Sequence, residues 1–171
     1  VLVNSLDKLR LMINEIKSSE LIAFDSETNS LNPRKGKIIG FSISTQPGSG
    51  YYLPTMIFKG GELIDNSIEG KNCHEIAQKS INLLIGKKLI FHNGSFDCRF
   101  VKAFYGIDLV PSMYVDTVLL VHTVKEEGAG FGSGSPFGLK SIAKLIQKQI
   151  GLDIEAAANE EQIELKTSTV S

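Results

Sequence analysis

Apolar positions along the chain change their period several times, and each change marks an element. Leu6, Leu9, Ile13 and Ile16 recur at the spacing of an amphipathic helix, with Ser5 placed to cap it. Leu21, Ile22, Ala23 and Phe24 form too short an apolar run for a helix and suit a strand buried on both faces. Asn32-Pro33-Arg34-Lys35-Gly36 is a turn, after which Ile39, Phe41 and Ile43 alternate with smaller or polar residues, as a second, antiparallel strand requires. Gln46-Pro47-Gly48-Ser49-Gly50 turns the chain again, and Tyr51-Tyr52-Leu53-Pro54 makes a short third strand ended by proline. Residues 55–71 carry no clear period.

Asn72-Cys73-His74-Glu75 has the form of a capping box, and Ile76, Ala77, Ser80 and Leu84 give the following helix a buried stripe before Gly86 stops it. His74 reads as a surface residue in that helix's first turn. Lys88-Leu89-Ile90-Phe91-His92 is a fourth strand that runs into Asn93-Gly94-Ser95-Phe96-Asp97, where a helix begins. Phe96, Phe100 and Phe104 recur along it, and Gly106 closes it after Tyr105. Pro111 and Ser112 close a turn, residues 113–115 form a fifth strand, and Asp116 is placed to cap a helix over 117–123, a role that competes with metal binding. Residues 126–136 are a glycine-rich surface loop without the Gly-Lys-Ser/Thr ending of a phosphate cradle. Leu139, Ile142, Ile146 and Ile150 predict an amphipathic helix whose Lys140, Lys144 and Lys148 form a solvated face or meet a nucleic-acid backbone. From residue 152 the chain turns acidic, with Glu155, Glu160, Glu161 and Glu164, as at a domain boundary.

The order of helix, three antiparallel strands, helix, strand, helix, strand and helices predicts an α/β fold. Its core would be a mixed five-stranded sheet with helices on both faces. The 171 residues suit one domain with a full core. Hydrophobic residues at 42% and charged ones at 22% are ordinary globular values. A formal net charge of -1 excludes a broad electrostatic footprint for duplex DNA, but not an acidic metal site that takes a strand end. Cys73 and Cys98 share no metal-ligand spacing, and a reduced, cytoplasmic setting is expected of them. No apolar run approaches the length of a membrane span, so no membrane partner is expected.

The candidate chemistry sits where the first strand leaves the core. Asp25 and Glu27 are two residues apart, so on a strand they point to one face and place two hard anionic ligands over one spot. Without Cys or His nearby, Mg²⁺ or Mn²⁺ is the expected occupant. A solvated strand end would look the same. Asp97, in the first turn of the helix after the fourth strand, either completes a three-carboxylate cluster or merely complements the helix dipole.

Together, Phe24-Asp25-Ser26-Glu27-Thr28-Asn29-Ser30-Leu31 and His92-Asn93-Gly94-Ser95-Phe96-Asp97, about 70 residues apart, resemble the first two motifs of the DEDD superfamily of 3′-5′ exonucleases. The order and flanking strands are most similar to the proofreading domain of family A, polymerase I-like DNA polymerases. The resemblance covers most of the chain and implies a ribonuclease H-like fold. It also implies two divalent cations held by Asp25, Glu27 and Asp97, a single-stranded or frayed DNA 3′ end as substrate, and a covalently attached polymerase domain. It further assigns Ser26, Thr28, Leu31, Asn93 and Phe96 to substrate: Thr28 with Glu27 at the terminal 3′ hydroxyl, Leu31 as a wedge against the last bases, Asn93 and Phe96 at the terminal nucleotide.

Core packing would also account for Leu31 and Phe96, and a strand-to-helix corner for Asn93. Beyond the second motif no Tyr-x-x-x-Asp or His-x-x-x-x-Asp follows, the form of the family's third motif. The expectation is therefore a fragment that stops short of it, with residues 152–171 as its boundary. Two other functions fit the same residues: a non-catalytic scaffold or single-strand-binding fragment lacking the fourth carboxylate, and an RNA-processing exonuclease of the same superfamily.

Overall fold

The computed structural model describes residues 1–124, 138–139 and 141–143. Val1–Asp116 is one compact unit, and a second begins at Thr117. Within the first, α1 (Leu6–Ser18) precedes three strands, β1 (Leu21–Thr28), β2 (Ile38–Ser44) and β3 (Tyr51–Pro54). Two small hairpins follow, β4 (Met56–Lys59) with β5 (Glu62–Asp65), and β6 (Ser67–Ile68) with β7 (Lys71–Asn72). The chain continues through α2 (Cys73–Asn82), β8 (Lys88–Phe91), α3 (Gly94–Tyr105), a 3-10 turn and β9 (Met113–Asp116). The main sheet has the order β3-β2-β1-β8-β9, antiparallel across β1, β2 and β3 and parallel across β1, β8 and β9. This is the mixed five-stranded α/β sheet expected of a ribonuclease H-like fold.

The hydrophobic effect fixes which face of β1 turns inward. Ile22, Phe24 and Ser26 are buried, whereas Leu21 is 44% exposed and Ala23 and Asp25 are half-buried, so the strand is fully covered on one face only, not on both. Phe24 stacks on Phe41 of β2 and meets Phe91 of β8 edge-on, with centroids 5.8 Å apart in each case. Met12 and Ile16 of α1, Ala77 and Ile81 of α2, and Phe100 and Val101 of α3 complete that core.

The local signals placed most ends correctly. Ser5 caps α1 by accepting from the Lys8 amide, and the Asn72 side chain accepts from the amides of His74 and Glu75 at α2. Gly106 closes α3 in the left-handed region at φ 72°. Residues 55–71, which carry no helical or strand-length period, form the two hairpins instead. Their turns are Gly60-Gly61 and Glu69-Gly70, all four residues at positive φ. His74 is not a surface residue: its side chain is 16% exposed, with Nδ1 3.1 Å from the Tyr105 hydroxyl and Nε2 3.5 Å from the Asp65 carboxylate.

In the second unit, α4 (Thr117–Val124) agrees with the expected helix, and the amides of Ser141 and Ile142 both reach the Gly138 carbonyl to open a helical turn. The glycine-rich segment 126–136, Lys140, Lys144 and Lys148, and the acidic stretch from 152 lie outside the described residues.

Gly94 marks the tightest joint between β8 and α3. A Cβ built there would lie 2.6 Å from both Cβ and Cγ of Phe91 and 2.9 Å from the Met113 methyl. Gly94→Ala is therefore expected to destabilise the protein by about 1–3 kcal/mol, the range for overpacking a dense core. Chemical denaturation measures it, and an unchanged midpoint would contradict this packing.

Candidate active site

β1 runs on past its parallel neighbour. Its pairing with β8 stops at Ala23↔Ile90, while pairing with β2 continues through Glu27↔Gly40 to Thr28↔Ile38. The backbone of Asp25 to Thr28 thus has an edge with no strand beside it, and an amide left unpaired in a buried setting is costly. Asp97 fills the gap. One of its carboxylate oxygens, Oδ1, accepts from the Ser26 amide at 2.8 Å and from the Ser26 hydroxyl at 2.6 Å, with Asp97 only 2% exposed. The helix-dipole reading of Asp97 therefore misses its main contact, which is to the first strand.

Asp25 and Glu27 share the less covered face of β1, and a register shift between Glu27 and Thr28 ends the regular ladder immediately after them. Burial, then the charge of Asp97, then that of Glu27, push the Asp25 carboxyl up to about 6. Burial also raises the Asp97 carboxyl, against the lowering effect of its bonds to Ser26, and Asp116 adds to the rise. The three motif acids and Asp116 thus form one field of negative charge.

Asp116 itself lies at the entrance of α3. Its Oδ1 and Oδ2 accept from the amides of Asn93 and Gly94 at 3.0 and 2.9 Å, a capping contact to the preceding helix that spacing alone could not reveal. Asn93 occupies the left-handed region at φ 67°, and its Oδ1 accepts from the Ser95 hydroxyl at 3.4 Å and not from a helix amide, so the local structural role expected of a corner asparagine is present chiefly in its backbone.

The other motif residues separate. The Thr28 hydroxyl donates to the Ser30 carbonyl at 2.8 Å and shapes the turn after β1. Leu31 is 87% exposed, which removes core packing as its explanation. Phe96 is half-buried with its ring 4.8 Å from that of Phe100, so it packs on the core and keeps an open edge. Ser26 is buried and engaged with Asp97.

Tyr52 escaped the sequence reading. It stands on β3 opposite Ser42, which in turn faces Asp25, and its ring lies over Gly40, where a Cβ would come within 2.6 Å of the ring carbon bearing the hydroxyl. Burial and the charge of Glu27 raise its phenol to about 12, so a neutral hydroxyl borders the acids. The only sequence signal was a glycine two positions before a strand serine, too weak to read.

The donor set is chemically suited to a hard divalent cation: all oxygen, negatively charged, and crowded enough that Asp25 resists ionising. Its arrangement is less advanced. Among the described residues no group of three His, Cys, Asp or Glu side chains stands ready to hold an ion, while Asp97 Oδ1 is engaged by Ser26. The expected three-carboxylate cage is present as a charge cluster and not as a closed ligand shell.

Comparison with known proteins then adds a lineage. Residues 1–168 match the family described as 3′-5′ exonuclease. DNA polymerase I of Borreliella burgdorferi is 32% identical over 114 residues, covering 66% of this chain and 12% of that polymerase. Among solved structures, Escherichia coli RNase D, an exoribonuclease involved in structured RNA processing, superposes with a TM-score of 0.53 at 13% identity, covering 89% of this chain and 33% of that one. Brucella melitensis NrnC with bound Mg²⁺ gives 0.50 at 18% identity, covering 90% and 60%. At these identities the structural likeness is one of fold.

The raised Asp25 carboxyl has a sign that can be measured. Its folded value of about 6 lies above the ordinary 3.8, so the folded state holds the proton more tightly, and stability is lost as pH rises through that window. Asp25→Asn should raise the melting temperature of chelator-treated protein at pH 8, with the gain shrinking towards zero below pH 4. A gain that is absent at pH 8, or equal at both pH values, would contradict the burial and charge crowding described.

Proposed function

This chain belongs to the 3′-5′ exonuclease family, and from that premise we propose that it hydrolyses the last phosphodiester bond of single-stranded or frayed DNA 3′ ends as the proofreading domain of a DNA polymerase. The observation that carries the reading is the meeting of the two motifs, with Asp97 bonded to Ser26 between the two strand acids. The polymerase attachment and the DNA substrate draw support from the B. burgdorferi relative, whose name is DNA polymerase I.

In this reading Asp25, Glu27 and Asp97 would hold two divalent cations, Mg²⁺ or Mn²⁺, Glu27 serving the attacking water and Asp97 the leaving 3′ oxygen. Bound cations would supply a lowered water pKa and neutralise charge developing on the phosphate. The chain's own part is preorganisation. Ser26 fixes the Asp97 carboxylate by two hydrogen bonds, so its orientation is set before substrate arrives. Leu31, exposed beside the strand end, is the wedge against the last bases. Thr28 with Glu27 receives the terminal hydroxyl, and Asn93 and Phe96 border the terminal nucleotide. A paired terminus must be frayed at a cost of a few kcal/mol before it enters, which favours mispaired ends.

The test is digestion of a 5′-labelled single-stranded DNA by the full parent chain in Mg²⁺, with an RNA of the same sequence in parallel. The expected result is stepwise shortening from the 3′ end with release of 5′-mononucleotides, arrest by chelator, and a loss of at least about a hundredfold in rate for Asp25→Asn or Asp97→Asn, equivalent to some 2.7 kcal/mol of transition-state stabilisation. Either variant staying within about threefold of the parent would end the assignment of these acids; preference for the RNA would replace DNA proofreading by RNA processing.

A further inference from the structure

The loop that leaves β1, residues 29–37, is built more firmly than its exposure suggests. Asn29 and Lys37 face each other across its base: the Asn29 amide donates to the Lys37 carbonyl at 3.2 Å, and the Lys37 amide donates to Asn29 Oδ1 at 2.7 Å. Within it, the Asn32 carbonyl accepts from the amides of Lys35 and Gly36, and Asn32 Oδ1 accepts from that of Arg34. The Asn32 amide in turn donates to the Ser30 hydroxyl oxygen. Gly36 is buried, and a Cβ there would lie 2.7 Å from the Ser30 Cβ and 3.0 Å from the Phe100 ring, so the loop is pressed onto α3.

What this fixed loop turns to solvent is cationic. Arg34, Lys35 and Lys37 are all exposed, as is Leu31, and none of the three cations is in an ion pair among the described residues. Three positive charges within four positions stand out on a chain of net charge -1. They also follow directly the strand end that carries Asp25 and Glu27, where a phosphate would otherwise meet only repulsion. A polyanionic strand whose 3′-terminal nucleotide is at the acids has all its remaining phosphates on the 5′ side of the cleaved bond, and these need counter-charge outside the acidic field.

We infer that residues 29–37 are a preformed phosphate-binding arm, in which Arg34, Lys35 and Lys37 hold backbone phosphates of the incoming single strand. This rests on the exonuclease reading and adds to it a binding surface outside the two motifs. Because phosphates carry no base identity, the arm contributes affinity and register without sequence preference.

The experiment compares the full parent chain with its Arg34→Gln/Lys35→Gln/Lys37→Gln variant on two single-stranded DNA substrates, a dinucleotide and a 12-mer, and measures 12-mer affinity against salt by fluorescence anisotropy in chelator. A dinucleotide has no phosphates beyond the site, so its cleavage should be unchanged, while cleavage of sub-saturating 12-mer falls. The slope of log affinity against log salt should drop by about 2, from three contacts at about 0.7 each. An unchanged slope, or equal loss on both substrates, overturns the arm. Lys35→Glu alone, at an exposed position, repeats the test should the triple variant misfold, and must lower 12-mer affinity. If the parent chain cleaves neither substrate, the exonuclease reading fails instead. Loss of binding to anionic lipid vesicles with 12-mer binding intact would assign the loop to a membrane surface and overturn the proposal.

Discussion

A carboxylate on one element satisfies the open edge of another, and the site is organised by that exchange. β1 extends beyond β8, which leaves the Ser26 amide without a strand partner at the point where the acids emerge. Asp97, from the first turns of α3, takes both that amide and the Ser26 hydroxyl. A charged acceptor serving two donors is among the stronger hydrogen-bond arrangements available, and in a buried position neither partner has water to replace it. The cost is electrostatic, since a buried charge is brought towards Asp25 and Asp116.

That cost and the proposed function have the same origin. A cluster of carboxylates in a partly desolvated place resists full ionisation, as the elevated Asp25 carboxyl records. Hard cations are the ligands that relieve it. The surrounding fold keeps the crowding in place: Asp116 is held at the amides that open α3, Gly94 lets that helix close against Phe91, and Tyr52 lies over Gly40 beside Glu27. Replacing Asp97 by alanine would therefore remove a structural acceptor along with a charge, whereas asparagine retains an oxygen for Ser26.

Much of this was legible from the chain alone, because its signals are local. The run before Asp25, the cap at Ser5, the stop at Gly106 and the phenylalanines of α3 each act within a few residues and gave their elements directly. The hairpins at residues 55–71 were missed because their strands are only two to four residues long, too short for a period to register. Gly60-Gly61 between Met56-Ile57-Phe58-Lys59 and Glu62-Leu63-Ile64-Asp65 was the available sign, since both turn residues must adopt positive φ. Contacts between distant segments were not legible in kind: the burial of His74 depends on Tyr105 and Asp65, the helix that Asp116 reaches depends on how β9 lies beside β8, and the Asp97–Ser26 bond depends on β1 outrunning its neighbour. Position along the chain left Asp97 open between an acid cluster and a helix dipole, and motif resemblance favoured the cluster.

The claim that Asp25, Glu27 and Asp97 act as one electrostatic cluster is tested most directly by carbon-13 NMR titration of the Asp25 carboxyl in the folded protein without metal, repeated in Asp97→Asn. The account predicts titration near 6 in the parent protein, a fall in the variant that stops short of the ordinary carboxylate value because burial remains, and a further fall in the parent when Mg²⁺ is added. An Asp25 carboxyl that titrates near its ordinary value and responds neither to the variant nor to Mg²⁺ would contradict it.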